Sequence, residues 1–415
     1  MISYKKYTLD NGLRVLMHED RSTTLAAMNI LYNVGSRDED PGSTGMAHLF
    51  EHLMFGGTAQ IPDYDKQLLL AGGENNAFTN TDITNYYLTL PAENIETAFW
   101  LESDRMNLID FSQRNLDIQK SVVIEEYKQR YLNQPYGDAM LLMRPLAYRI
   151  HPYRWPAIGM DISHIHDVTL DKVREFFFTH YAPNNAILTL TGNFRTREAV
   201  RMAKKWFGRI ERRNVKPVDR PAEPEQTEAR SLEVEKDVPA DALYKAWHTV
   251  PRAGNDFYTL DLITDLLAGG ESGRLYNKLV RQKKLFSEIN AYITSDIDPG
   301  IALLHGRLMK DVDIRSAEEA VLKVIDELKE KPPSSHEMEK VRNKYESSNV
   351  FANTSILNKA VNLSFFELTG NPDLINTEVD LYRKTSRSMV TEAARKYFDP
   401  ASCSTLYYRS SRDQK

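Results

Sequence analysis

The fold of this chain is decided by the stretch His48-Leu49-Phe50-Glu51-His52-Leu53-Met54-Phe55-Gly56-Gly57, because the second half repeats it as Asp261-Leu262-Ile263-Thr264-Asp265-Leu266-Leu267-Ala268-Gly269-Gly270. Both segments place apolar residues around most of a helix and end in a Gly-Gly pair, where a helix C-terminus is expected. A similar offset aligns residues 176–190 with residues 393–407. An offset of about 215 residues is too long for a solenoid repeat, so we interpret the chain as two copies of one domain.

A linker separates the two copies. Residues 211–230 are charged, rich in proline and nearly free of large apolar side chains. We therefore predict domains at residues 1–210 and 231–415. Strand patterns such as residues 186–191 mix with long helical patterns such as residues 317–330, which indicates an α+β fold: in each copy, a sheet covered on one face by helices.

The first copy carries a metal-hydrolase motif on its helix. His48 and His52 stand at i and i+4 on one helical face, where both imidazoles can reach a single Zn²⁺. Glu51 lies where its carboxylate can act as general base on the attacking water, and the order H-x-x-E-H is typical of inverzincins. We favour this interpretation over two core histidines bonded to the backbone, because unpaired polar groups on so apolar a helix would be costly.

A hydrolytic zinc site needs a third protein ligand, and a carboxylate is expected. The helical stretch at residues 115–131 offers Glu125 and Glu126, which diverge by about 100° around the helix, so only one can face the metal. Glu126 shares its face with an inward stripe formed by Gln119, Val122 and Val123. Glu125 lies nearer to polar residues, so we predict Glu126 as the ligand.

The second copy lacks this chemistry. Asp261 and Asp265 replace the two histidines, and Thr264 replaces the base. We therefore predict that the first domain is catalytic and that the second is a degenerate copy that shapes the substrate cavity.

These residues resemble the pitrilysin and mitochondrial-processing-peptidase family of zinc peptidases, in the size class of its short bacterial-type subunits. The similarity covers the first half closely and the second half more loosely. It is carried by the motif at residues 48–52 and by four further stretches, at residues 72–79, 122–126, 151–159 and 181–194.

The resemblance implies one zinc ion per chain on His48, His52 and Glu126, with Glu51 as the base. It also implies that Asn76-Ala77-Phe78-Thr79 forms an edge strand that pairs with a peptide substrate, a mode in which main-chain hydrogen bonds supply the affinity. A strand beside a turn, with no partner, is the alternative for this stretch.

Two positions depart from the family pattern. Gln119 stands where the family often carries a glutamate, so it can hydrogen-bond a metal-binding histidine but supplies no charge. In the second half the family has an arginine followed seven residues later by a tyrosine, which bind substrate. This chain offers Arg281, but Glu288 occupies the tyrosine position.

Composition agrees with a large enzyme. The 53 Lys and Arg against 58 Asp and Glu leave a net charge of −5, too close to balance to indicate a nucleic-acid partner. Cys403 is the single cysteine, which excludes an intrachain disulfide. No apolar run reaches the roughly 18 residues of a membrane span, and no hydrophobic leader opens the sequence. We expect a cytoplasmic location, or a periplasmic one if a signal peptide was removed before residue 1.

Two functional classes remain open. One is a zinc endopeptidase that cleaves unfolded or short peptides. The other is a non-catalytic or partner-dependent subunit of a processing-peptidase-like heterodimer. The resemblance implies that four copies of this domain enclose the substrate, and one chain supplies two. We therefore predict a dimer, either a homodimer or a heterodimer with a related subunit that carries the Arg/Tyr pair.

Overall fold

The computed structural model describes residues 1–215, 218 and 220–411. Residues 216, 217 and 219 of the predicted linker lie outside the described residues. The β-strands are β1 Lys5–Thr8, β2 Arg14–Glu19, β3 Leu25–Tyr32, β4 Glu74–Thr79, β5 Thr84–Pro91, β6 Ala186–Gly192, β7 Arg230–Lys236, β8 Ala242–His248, β9 Phe286–Ile293, β10 Ile301–Leu308 and β11 Cys403–Ser410.

The α-helices follow in the same numbering. They are α1 Met46–Leu53, α2 Tyr64–Leu70, α3 Ile95–Asn107, α4 Gln113–Tyr127, α5 Ala139–Ala147, α6 Ile162–His166, α7 Leu170–His180, α8 Thr196–Phe207, α9 Phe257–Ala268, α10 Ile314–Glu330, α11 Ser335–Ala352, α12 Ile356–Leu368, α13 Leu374–Lys384 and α14 Arg387–Tyr397. None of these helices combines the length and the apolar character needed to cross a bilayer.

The strands form two sheets with the same topology. The first sheet has the order β1-β2-β6-β3-β5-β4, and the second has the order β7-β11-β8-β10-β9. Apart from the extra strand β1, each strand of the first sheet has a counterpart at the same place in the second. Among the strands that the structure describes, each sheet has one parallel pair, β2 with β6 and β7 with β11. The predicted α+β class with two sheet-and-helix domains is confirmed.

Two compact units, each containing one sheet, are interleaved along the chain. The first unit comprises Met1–Tyr127, Trp155–Arg220 and Val350–Thr377, and the second comprises Lys128–Arg154, Pro221–Asn349 and Glu378–Lys415. A single cut between residues 210 and 231 does not reproduce these units, because one segment of each half packs on the sheet of the other. The domain ranges 1–210 and 231–415, with a linker at residues 211–230, stay a prediction.

Each sheet also carries one helix on its second face, which the sequence did not indicate. In the first unit Leu16, Leu31 and Ile187 point away from the main core and pack against Leu363 and Phe366 of α12. Main-core residues alternate with these along the strands, as the twofold period of a β-strand requires.

The second unit repeats this arrangement. Tyr244, Leu303 and Leu406 pack in one cluster with Ala139 and Met143 of α5. Helices α9, α10 and α14 contribute to a separate cluster with other residues of the same sheet. Segments exchanged between the halves therefore bury the second face of both sheets.

Two glycine turns border elements of the first sheet and of the motif helix. Asp10, Asn11 and Gly12 lie between β1 and β2, which pair antiparallel, and Gly12 has φ of +90°. The predicted helix around the H-x-x-E-H motif is α1, whose last helical residue, Leu53, is followed by the turn that contains Gly56 and Gly57. Gly57 has φ of +83°, a conformation that few other residues adopt.

Candidate metal centre

Helix α1 presents its polar face because its apolar residues are buried. Leu49, Phe50 and Leu53 are at most 2% exposed, whereas His48, Glu51 and His52 are half-buried. Residues at i, i+3 and i+4 lie on the same side of a helix, so these three side chains form one patch.

A buried carboxylate holds the N-terminus of this helix. The side chain of Glu39 accepts hydrogen bonds from the backbone N–H groups of Gly45 and Ala47, both at 2.8 Å. Burial raises the pKa of Glu39 well above its usual value, although the two backbone donors oppose that shift. Glu39 thus satisfies N–H groups that a helix start leaves without intrahelical partners.

His48, His52 and Glu126 come together across α1 and α4. Glu126 Oε2 lies 3.7 Å from His48 Nε2 and 3.4 Å from His52 Nε2. Tetrahedral zinc with bonds of about 2.0–2.2 Å places neighbouring ligand atoms roughly 3.3–3.6 Å apart. In the part of the chain that the structure describes, this is the only group of three side chains spaced to hold a metal ion. The donor set and its spacing fit zinc.

The two candidate glutamates on α4 differ in exposure. The side chain of Glu126 is 19% exposed and faces the histidines, whereas Glu125 is exposed to solvent. The reasoning behind the prediction was only partly right. Val123 is buried, but Val122 is 45% exposed and does not belong to an inward stripe.

Helix α4 and its residue Gln119 depart from the expectations in two details. The α-helix ends at Tyr127, one residue after Glu126, and a π-helical turn at Lys128–Leu132 replaces its predicted last turn. Gln119 is half-buried two turns before Glu126. Among the described residues its side chain forms no hydrogen bond with either histidine, so its supporting role stays a prediction.

The first sheet supplies the surroundings of Glu51. Thr79, the last residue of β4, donates its hydroxyl hydrogen to Glu51 Oε2 at 2.6 Å. Tyr86 of β5 and Tyr181 are fully buried. The pKa of both tyrosines is raised, first by burial and then by neighbours that include Glu51. Both phenols therefore stay protonated, and the Thr79 hydroxyl contacts the Glu51 carboxylate directly.

Strand β4 lies at the edge of the first sheet, as the predicted substrate strand must. It pairs with β5 alone in that sheet, and Asn76 is exposed while Ala77, Phe78 and Thr79 are half-buried. The Ala77 N–H donates to the Asn76 side-chain oxygen at 2.8 Å. The role of residues 76–79 in binding a substrate stays a prediction.

Arg281 and Glu288, which stand at the positions of the family arginine and tyrosine, lie in the second unit. Arg281 is exposed on a π-helical segment, Tyr276–Gln282. Glu288, at the position of the family tyrosine, lies on β9 and forms an ion pair at 2.7 Å with Arg307 of β10. The substrate-binding role of Arg281 stays a prediction.

Helix α9 shows what replaced the motif in the second copy. The Tyr382 hydroxyl donates to the Asp261 carboxylate at 2.6 Å, and Lys344 Nζ lies 2.6 Å from Asp265 Oδ1. Thr264 donates to the backbone oxygen of Asp261 at 2.8 Å. Each replaced position has a structural partner within the second unit.

Sequence reasoning missed Glu39 and the hydroxyl of Thr79. A weak signal for Glu39 lay in the N-cap position, which Gly45 occupies instead of Ser, Thr, Asp or Asn. A helix start without its own capping side chain needs an acceptor from elsewhere, and Glu39 supplies it. Thr79 was predicted only as part of the substrate strand, because nothing in its local sequence indicates contact with a helix 26 or more residues earlier.

Comparison with known proteins assigns the family. The family model described as Insulinase (Peptidase family M16) matches residues 14–152, and the one described as Peptidase M16 inactive domain matches residues 167–345. Zinc protease PqqE of Helicobacter pylori is 28% identical over 349 residues, which cover 82% of this chain and 78% of that protein.

Solved structures agree with this match. A protease from Helicobacter pylori has a TM-score of 0.94 and 25% identity over 99% of this chain and 100% of that one. Pitrilysin, at 18% identity, shares the fold with a TM-score of 0.76 over 99% of this chain and 45% of its own. Because both halves match domains of one family, in order and with the H-x-x-E-H motif in the first, this chain belongs to peptidase family M16.

Proposed function

We propose that this protein is a zinc-dependent endopeptidase that cleaves unfolded or short peptides. One observation carries the proposal: His48, His52 and Glu126 converge at distances that suit one zinc ion, with Glu51 on the same helical face. The names of M16 relatives as zinc proteases support the same chemistry.

In this proposal His48, His52 and Glu126 hold one zinc ion per chain. Such an ion acidifies water and polarises the peptide carbonyl. Glu51 takes the proton from the attacking water and passes it to the leaving amine, as a general base and then a general acid. Glu125 and Gln119 contribute no ligand.

The free edge of β4 is the proposed binding site for the substrate backbone. A peptide that adds as a further strand along Asn76, Ala77, Phe78 and Thr79 would run beside α1, which follows from the contacts of β4 with that helix. Strand addition requires an extended segment, so folded proteins would be poor substrates.

The test uses the full chain, loaded with zinc, and an internally quenched peptide. We expect cleavage that stops with a chelator and returns when zinc is added back. A Glu51→Gln variant should bind zinc without cleaving, which controls for a contaminating protease. Wild-type protein that binds no zinc, or cleavage that persists in Glu51→Gln, would contradict the proposal.

We further propose a dimer. The chain covers 45% of pitrilysin, so two copies would match most of the length of that longer protein. Light scattering should give twice the mass of one chain. The dimer should cleave a quenched peptide much faster than a folded protein that contains the same cleavage-site sequence. A monomer that cleaves both equally would contradict a dimer that encloses its substrate.

A partner-dependent subunit is the second candidate, and Glu288 favours it. Glu288 stands where the family has its tyrosine, seven residues after the arginine position that Arg281 occupies. In this chain Glu288 is paired with Arg307 instead. This candidate predicts that the chain alone binds zinc but turns over slowly. Mixing with a related subunit that carries the Arg/Tyr pair should then raise kcat. The cytoplasmic or periplasmic location stays a prediction.

A further inference from the structure

The Thr79 hydroxyl is directed at the proposed general base. Thr79 Oγ1 lies 2.6 Å from Glu51 Oε2 and 3.5 Å from Thr84 Oγ1. A hydroxyl has one hydrogen to donate, and the shorter of the two contacts is the stronger hydrogen bond. The hydrogen therefore goes to Glu51, while the contact with Thr84 is at the limit of a hydrogen bond.

The neighbouring backbone fixes the position of Thr79. It ends β4 and stands opposite Thr84, the first residue of β5. Thr84 is fully buried and donates its own hydroxyl hydrogen to the Val34 carbonyl at 2.9 Å. In the turn between the two strands, the Asn80 side chain accepts from the N–H groups of Asp82 and Ile83, at 2.8 and 2.9 Å. These bonds tie Thr79 to the rigid part of the sheet.

We propose that Thr79 is a positioning residue for Glu51. Its hydroxyl holds Oε2 and so fixes the orientation in which the carboxylate meets the attacking water. This inference rests on the proposed peptidase function and extends it. The same residue contributes its backbone to the proposed substrate strand, so one residue would link the strand that binds the peptide to the base that attacks it.

Threonine suits this role because its branched Cβ restricts χ1, which keeps the hydroxyl in one direction. Valine has nearly the same shape without the hydroxyl, and serine keeps the hydroxyl without the methyl group. Thr89 offers a matched control on the adjacent strand. It is also half-buried and donates to a glutamate, Glu74, at 3.0 Å, away from Glu51.

The experiment compares Thr79→Val, Thr79→Ser and Thr89→Val with wild type, all loaded with zinc. We expect Thr79→Val to lower kcat about 10- to 100-fold, the usual range for a group that orients a catalytic residue. Its KM should stay within about threefold, because the backbone of β4 is unchanged. Thr79→Ser should keep kcat within about threefold, and Thr89→Val should match wild type.

Other outcomes would overturn the proposal. A raised KM with unchanged kcat would assign Thr79 to substrate binding alone. Equal loss in Thr79→Ser and Thr79→Val would show that the methyl group, not the hydroxyl, matters. Loss of zinc from Thr79→Val would place the effect at the metal site.

A readout without activity separates this inference from the proposed function. In zinc-free protein, we compare the fall in Tm caused by Thr79→Val in wild type with the fall it causes in a Glu51→Ala background. The fall should be smaller in the Glu51→Ala background by about 2 °C or more, because the two side chains share one hydrogen bond. Additive Tm losses would refute the bond. This result holds or fails whether or not the chain cleaves peptides.

Discussion

Replacing Glu126 tests the metal centre most sharply, because Glu125 beside it is a built-in control. The change Glu126→Gln removes one negative charge and one oxygen donor from a group whose atoms lie 3.4–3.7 Å from the histidine nitrogens. Even at 4 Å, a unit charge against a divalent cation is worth about 8 kcal/mol at an effective dielectric constant near 20. Hydration of the 19% exposed side chain offsets part of this, and water can occupy the lost ligand position.

We therefore expect a net loss of at least about 3 kcal/mol in zinc binding, or roughly 100-fold in Kd. Glu125→Gln removes the same charge from an exposed position, where solvent and salt screen it, and should change Kd by less than about threefold. Competition with a chromogenic chelator at fixed pH measures both, and circular dichroism checks the fold. An equal or larger loss in Glu125→Gln would reverse the assignment, and an unchanged Kd in Glu126→Gln would refute the site.

Three further predictions follow from other parts of the molecule. Glu51→Gln should bind zinc as wild type does and lower kcat by about 10²–10⁴-fold, as loss of a general base does. Loss of zinc from this variant, measured by inductively coupled plasma mass spectrometry, would contradict this prediction. Leu363→Ala should destabilise the first unit by about 2–5 kcal/mol in urea titration, because Leu363 is fully buried under the first sheet, while Leu69→Ala at a 74% exposed position should change little. Burial alone would raise the pKa of Glu337, but hydrogen bonds from Arg274 and Ser334 outweigh it and lower the pKa to about 2. Glu337 therefore stabilises the fold above its ordinary pKa, and the Tm deficit of Glu337→Gln should be present near pH 6 and narrow as the pH falls toward about 3.

Local sequence pattern predicted the features that depend on local geometry. The histidines of α1 share a face because of the helical repeat, so their placement could be identified from residues close in sequence. The repeated helix with its Gly-Gly end likewise revealed two copies, and the shared strand order of the two sheets agrees with that interpretation.

Features that depend on tertiary packing could not be predicted. The apolar stripe of α12 looks the same whether it packs on the nearer sheet or on the sheet of the other half, and only the structure shows that Leu363 and Phe366 contact Leu16 and Ile187. The same limit applies to Val122, which its neighbours suggested was buried and which is exposed. Apolar character sets a preference for burial but does not choose the partner.

The groups that meet α1 and α9 differ, and this difference supports the proposal that metal chemistry belongs to the first unit. Both helices bury an apolar side, and the polar side chains on their other side meet a neighbouring long helix. In the first unit those positions are the two histidines, and Glu126 of α4 approaches them at a spacing that a divalent cation can bridge. In the second unit the Lys344 ammonium of α11 lies directly against Asp265. A side-chain cation thus pairs with Asp265, and the Tyr382 hydroxyl donates to Asp261. The second unit should therefore fold independently of zinc, whereas binding of zinc should stabilise the first unit selectively, by linking α1 to α4 in the folded state only.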